Sequence, residues 1–185
     1  MRDSKPSLTV PTLMSERLTL EPLTRAHSDG MFVLWSDVEA CRYSGPAHDM
    51  SGVPITLPAR VPADSDRIID FFLHGAAAGE RFRWAVLTRA ERQFIGAAGF
   101  NALGACSEYA YHLIPAFWGH GYMAEASLAA LRWLRGEPHR ECVEAFIAPD
   151  NVASIKLATR LGFRASGSAV DGADRYQMRL DVLET

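Results

Sequence analysis

Apolar and polar positions change period several times along this chain. "RLTLEPL" (17–23) alternates over a short run and predicts a strand. Thr24 follows as a helix N-cap. Met31, Leu34, Trp35 and Val38 then recur at the spacing of one apolar helix face. Between 41 and 63 the period dissolves into a Pro- and Gly-rich run, "YSGPAHDMSGVPITLPARVP", which predicts a long loop. "ADSDRIIDFFLHGAAAG" restores the helical period, with a cap at Asp64 or Ser65 and a stop at Gly79. Three strand-like runs at 82–88, 93–101 and 107–114, with short breaks, read as an antiparallel meander. "YMAEASLAALRWLRGE" is a helix, "CVEAFIA" (142–148) a strand, and "NVASIKLATRLGF" a helix opened by Asn151 and closed by Gly162. Two further strands are expected around 163–170 and 175–183.

This order predicts an α/β protein (an α+β mixed sheet) with helices on both faces. The strand–helix–strand unit from 107 to 148 is long enough for a crossover, so its two strands are expected to run parallel. Residues 1–15 read as a lead-in and residues 16–185 as a single domain. There is no internal repeat.

Composition narrows the function. Of 185 residues, 48% are hydrophobic and 22% charged, with a net charge of −3. No basic field points to nucleic acid. No run reaches the length of about 18 apolar residues that spans a membrane. The first residues lack the apolar core of a signal peptide. Cys41, Cys106 and Cys142 are odd in number and far apart, with no C-x-x-C pair and no zinc spacing. The expectation is a reduced, cytoplasmic setting without a metal.

The chemical signal lies in "PAFWGHGYMAEA", which places Gly119 and Gly121 at the mouth of a helix. A helix N-terminus offers unpaired N–H groups and partial positive charge, and glycine removes the side chain that would block an anion. The dinucleotide fingerprint needs a third glycine where Ala124 stands, and the Gly-Lys-Ser/Thr of a Walker loop is absent.

Read together, "YHLIPAFWGHGYMAEA", "DNVASIKLATRLGF" and "ERLTLEPL" closely resemble the GNAT superfamily of acyl-CoA-dependent N-acetyltransferases, in its RimJ/RimL-type branch. The resemblance covers about 15–183. It implies a mostly antiparallel sheet with one splayed parallel pair, and acetyl-CoA as acyl donor. The strand ending in Leu113 and Ile114 would line the pantetheine arm. The backbone of Trp118, Gly119, His120, Gly121, Tyr122 and Met123 would hold the pyrophosphate. Ala116 stands where relatives often carry Gln or Arg. Asn151 would face the cofactor arm while also capping its helix, and Ser154 or a water would protonate the leaving thiolate, the alternative for Ser154 being a plain helix-surface serine. The tyrosine that many members use for this step falls on Ala158 and is missing.

Glu108 is the matching general base, since an amine near pKa 8 must lose a proton before it attacks. Its alternative is a solvated strand residue. Glu144 and His112 are further bases to weigh. Lys156 and Arg160 would reach a 3′-phosphate or simply form a solvated face. Phe117, Trp118 and Tyr122 also suit plain packing. Trp35, Tyr43, His48 and Asp49 belong to the wall expected for the acceptor, formed by the 41–63 loop and the first helices. Glu21 replaces an arginine frequent in the family's first strand. The resemblance thus implies direct acetyl transfer to a primary amine, either a protein N-terminal α-amine or a small molecule. A homodimer is expected by analogy. The competing readings are a non-catalytic acyl-CoA sensor and a structural domain.

Overall fold

The computed structural model describes residues 8–167 and 172–183. An edge strand β1 (Leu13–Met14) pairs antiparallel with β2 (Leu18–Pro22). Thr24 caps a short 3-10 turn that leads into α1 (Ser28–Ser36), and a four-residue helix α2 (Val38–Cys41) follows. The helix face expected to run through Val38 breaks at Asp37. Asp37 is extended and caps α2 by accepting from the Ala40 N–H, so Val38 turns to solvent.

The long loop holds a small hairpin, β3 (Ala47–His48) against β4 (Pro54–Ile55). Helix α3 (Pro62–Ala77) starts earlier than expected, because Pro62 sits at its first position. Asp64 acts one turn in, accepting from the Arg60 and Val61 N–H groups.

The meander is β5 (Phe82–Thr88), β6 (Phe94–Ala102) and β7 (Cys106–Leu113). Helix α4 (Tyr122–Gly136) connects β7 to β8 (Cys142–Ile147). Helix α5 (Val152–Arg160), β9 (Arg164–Ala165) and β10 (Asp174–Arg179) complete the order. The last strand ends at Arg179, where a 3-10 turn, Leu180–Val182, takes over. Part of the expected strand at 163–170 lies outside the described residues.

The main sheet runs β1-β2-β5-β6-β7-β8-β10-β9, antiparallel except for the β7–β8 pair. One face packs against α4 and α5 through Phe82, Trp84, Phe100, Tyr109 and Val143. The other packs against α1 and α3 through Ala85, Leu87 and Ala97, which meet Met31, Leu34, Ile69 and Phe72. Trp133 of α4 meets Phe82 and Trp84 edge-on at 5.2 and 5.3 Å. Period-two alternation along β5, β6 and β7 therefore feeds two separate cores.

The cysteines correct one expectation: their spacing suggests a reduced setting, but Cys106 and Cys142 form a disulfide. They open β7 and β8, and the parallel register sets them opposite each other with Cα atoms 4.4 Å apart. A separation of 36 residues concealed this, because only the crossover brings the strand starts together. Cys41 is free and buried.

Candidate active site

The parallel pairing of β7 and β8 is short. Cys106, Ser107 and Glu108 face Cys142, Val143 and Glu144, and the ladder then ends. Both strands continue, to Leu113 and Ile147, so they part after the two glutamates. A gap between parted strands exposes backbone groups that another extended chain can pair with. At the far end of β7 the Leu113 carbonyl accepts from the Trp118 indole N–H at 2.8 Å, and the Ile114 N–H donates to Ile95 O at 2.9 Å. The stretch from Tyr109 to His112 is left to line the gap.

Past the fork, Pro115–Phe117 makes a 3-10 turn, and Trp118 to Gly121 form the loop before α4. Gly119 and Gly121 have φ of +79° and +77°, a left-handed conformation that side chains disfavour. No side chain caps α4, so its first N–H groups are open. His120 is exposed between the glycines, whereas the Met123 side chain is buried in the core and only its backbone faces the loop. Phe117 and Tyr122 pack against that core as partly buried aromatics.

Two residues that sequence reasoning passed over hold this loop. Arg17 donates through Nε to Glu125 Oε2 at 2.7 Å and through Nη1 to His120 O at 3.0 Å. Its guanidinium lies 4.5 Å from the centre of the Tyr122 ring. Burial pushes the Glu125 carboxyl up, but hydrogen bonds from Ser15 and Arg17 outweigh it and hold the group below its ordinary range. Arg17, His120, Gly121, Arg132 and Arg160 line a groove of about 1370 Å³ beside the loop. Open N–H donors, a helix N-terminus and nearby guanidiniums suit the pyrophosphate of an acyl-CoA.

Period two splits β7. On the side of α1 lie Glu108, Ala110 and His112, and on the side of α4 and α5 lie Tyr109, Tyr111 and Leu113. Glu108 Oε1 accepts from Asn101 Nδ2 at 2.6 Å. Glu144, opposite it, is held by Arg175 at 2.6 Å. His112 packs at a tilt against Trp35 with ring centres 4.4 Å apart, and its Nε2 lies 3.0 Å from Ser44 Oγ. Burial, and then the charge of Arg83, push the His112 imidazole down to about 3. A group that resists protonation so strongly is a poor base near neutrality.

On the other face, Tyr111 OH donates to Ser154 Oγ at 2.9 Å. Burial raises the Tyr111 phenol above its ordinary value, so it stays protonated. Asn151 Oδ1 accepts from the Ser154 N–H at 3.2 Å, a plain N-cap. The missing tyrosine on α5 leaves Ala158 buried in the core, and a different tyrosine, from β7, reaches Ser154 instead. No sequence spacing links Tyr111 to Ser154.

The 41–63 segment rests on the fork through Ser44 and through Tyr43, whose OH donates to Asp150 O at 3.3 Å. Asp49 is engaged within the loop: it pairs with Arg67 at 2.6 Å and accepts from the Ser51 and Val53 N–H groups. His48 is exposed. Glu21 pairs with Arg92 at 2.6 Å, far from the fork in sequence. Lys156 is exposed on α5 and is not among the residues lining the groove. Among the described residues no cluster of His, Cys, Asp and Glu is arranged to hold a metal ion. None of their helices is long and apolar enough to cross a membrane.

A parted parallel pair with a bare glycine cradle beside it fits the acyl-CoA site that the motifs imply, and comparison with known proteins shows the family. The acetyltransferase (GNAT) domain model matches residues 17–164, and the chain belongs to that family of acetyltransferases. It is 29% identical over 174 residues to the uncharacterised N-acetyltransferase p20 of Bacillus licheniformis, covering 92% of each chain. It is 34% identical over 97 residues to the ribosomal protein uS5 alanine N-acetyltransferase of Escherichia coli, half of each chain. Among solved structures, RimL, a ribosomal L7/L12 α-N-protein acetyltransferase in complex with coenzyme A, superposes with a TM-score of 0.76 at 17% identity, covering 92% of this chain and 99% of that one. The GNAT-family acetyltransferase from Bacillus anthracis gives 0.72 at 18% identity, over 92% and 99%.

Proposed function

We propose that this acetyltransferase moves acetyl from acetyl-CoA directly to a primary amine, and that the acceptor is the N-terminal α-amine of a protein. The observation that carries the reading is the fork: the strands part at Glu108, with the uncapped α4 beyond one end of the gap and Ser154 on its far side. The uS5 and RimL relatives, each named for acetylating a ribosomal protein, favour a protein acceptor.

Acetyl-CoA supplies the activated acyl group. The backbone from Trp118 to Met123 holds its pyrophosphate, and the β7 edge aligns its arm. Glu108 takes a proton from the acceptor ammonium, directly or through one water. The amine nitrogen then bonds the carbonyl carbon as the C–S bond breaks. Ser154, with the neutral Tyr111 phenol behind it, gives its proton to the departing sulfur, and the second proton that the nitrogen loses on becoming an amide replaces it through water. Base and acid thus approach from opposite sides of the fork.

Direct transfer is favoured because no thiol is placed to carry the acetyl group. Cys106 and Cys142 are bonded to each other, and burial, helped by the charge of Asp37, pushes the Cys41 thiol up to about 11. The test is thiol release from acetyl-CoA across N-terminal peptides, amino acids, polyamines and aminoglycosides, beside a melting titration with CoA. Turnover on the N-terminal peptides is the expected result. Turnover on a small amine alone would reassign the acceptor, and a melting shift without turnover on any acceptor would favour an acyl-CoA sensor.

A further inference from the structure

Arg83 is an anomaly in the α1/α3 core. It sits on β5 with 5% of its surface exposed, and its guanidinium lies 4.3 Å from the centre of the Phe72 ring. Burying a cation is expensive unless something compensates it. Its hydrogen bonds go to neutral oxygens, Phe82 O at 3.4 Å and Asn101 Oδ1 through Nη2. Burial lowers it to about 10, against the pull of Tyr109 and Glu108, so it remains charged near neutrality.

Asn101 stands at a break in the sheet. Phe100 pairs with Tyr109 and Ala102 with Glu108, so Asn101 is the extra residue of a bulge in β6. A bulge re-aims a side chain that a regular ladder would have fixed. Here the Asn101 amide spans Arg83 and Glu108.

We propose that Asn101 is the positioning residue of the Glu108 base, anchored by Arg83. A guanidinium can only donate, so Asn101 must turn its oxygen to Arg83 and its NH₂ to Glu108. That amide NH₂ can only donate in turn, so Glu108 Oε1 must accept. When Glu108 takes the proton of the acceptor amine, the proton goes preferentially to Oε2, the more basic oxygen once Oε1 accepts from Asn101. The relay fixes both the rotamer of the base and the atom that works. The other titratable groups around Glu108 have their own partners: Glu144 is paired with Arg175, and His112, kept neutral by burial, lies against Trp35 and Ser44. This inference rests on the reading of Glu108 as the base.

The test uses Asn101→Leu, close in shape but without the amide, and Asn101→Asp, which offers Glu108 an acceptor in place of a donor. Losing a hydrogen bond to a charged group is worth about a tenfold fall in kcat for Asn101→Leu, and about a hundredfold for Asn101→Asp. The KM for acetyl-CoA stays within about twofold, because neither variant touches the phosphate loop. Asn101→Leu placed in a Glu108→Gln background lowers kcat no further, since the two act as one unit. An unchanged kcat in Asn101→Leu, or a full additive loss in the double variant, overturns the relay.

A second measurement does not depend on turnover. In a ¹⁵N spectrum the Asn101 side-chain NH₂ pair is expected to move on Glu108→Gln and on Arg83→Lys. If the pair moves but no acceptor is turned over, the relay stands and the catalytic reading falls. If it stays in place, the relay falls whatever the enzyme does.

Discussion

Two faces of one strand, β7, carry opposite chemistry. Tyr109 and Tyr111 look toward α4 and α5, where burial keeps both phenols protonated and each hydroxyl reaches a serine, Ser127 or Ser154. Glu108 and His112 look toward the other layer, where a buried guanidinium keeps charge in play. A shift of one residue along the strand is enough to set a hydroxyl pair on one side of a gap and a carboxylate on the other. In the proposed mechanism the strand carries the base, Glu108, on one face, and its other face meets the acid, Ser154 of α5, through Tyr111.

That contrast can be broken at several points. Gly121→Val strikes the frame both faces serve: a β-branched residue at φ +77° distorts the loop, and the affinity for CoA is expected to fall by about a hundredfold or more in calorimetric titration. Ser154→Ala tests the hydroxyl face, with about a tenfold loss in kcat and little change in acetyl-CoA affinity, and Tyr111→Phe reproduces part of that loss. If Tyr111→Phe alone removed all activity, the phenol rather than the serine would be the proton donor.

His112 sharpens the comparison through pH. Its folded value, near 3, lies below the ordinary 6.5. The unfolded chain therefore binds a proton that the folded protein refuses. The stability His112 contributes is whole above about pH 6.5 and is lost as pH falls toward 3, by up to about 1.4 kcal/mol per pH unit. Urea unfolding of His112→Gln is expected to show a flatter acid dependence over that window. The smallest effect is expected at Asp49→Asn, which loses a solvent-screened ion pair with Arg67 and leaves kcat unchanged. A large kcat loss there would show that Asp49 meets the acceptor after all.

How much of this was legible in the sequence follows from which interactions are local. The meander, both late helices and the glycine cradle show in periodicity and in two positive-φ glycines, because strand alternation, caps and turns are set by neighbouring residues. Asn151 as N-cap and Glu108 on the same face of β7 as His112 follow from the same rules. Contacts across long separations were not legible. Arg17 with Glu125 spans 108 residues, Tyr111 with Ser154 spans 43, and Cys106 with Cys142 spans 36. Asn101 depends on a bulge that strand alternation does not encode. Asp49, which composition suggested for the acceptor wall, is used by its own loop, a role that only Arg67 from α3 reveals.

The central claim is that Glu108 removes the acceptor's proton while the phosphate loop binds the donor independently. The most direct measurement is Glu108→Gln on an N-terminal peptide, with kcat and acetyl-CoA affinity determined on the same preparation. The account predicts a fall in kcat of about a hundredfold or more, with acetyl-CoA affinity within about twofold of the parent protein. An unchanged kcat, or a loss confined to acetyl-CoA binding, would contradict it.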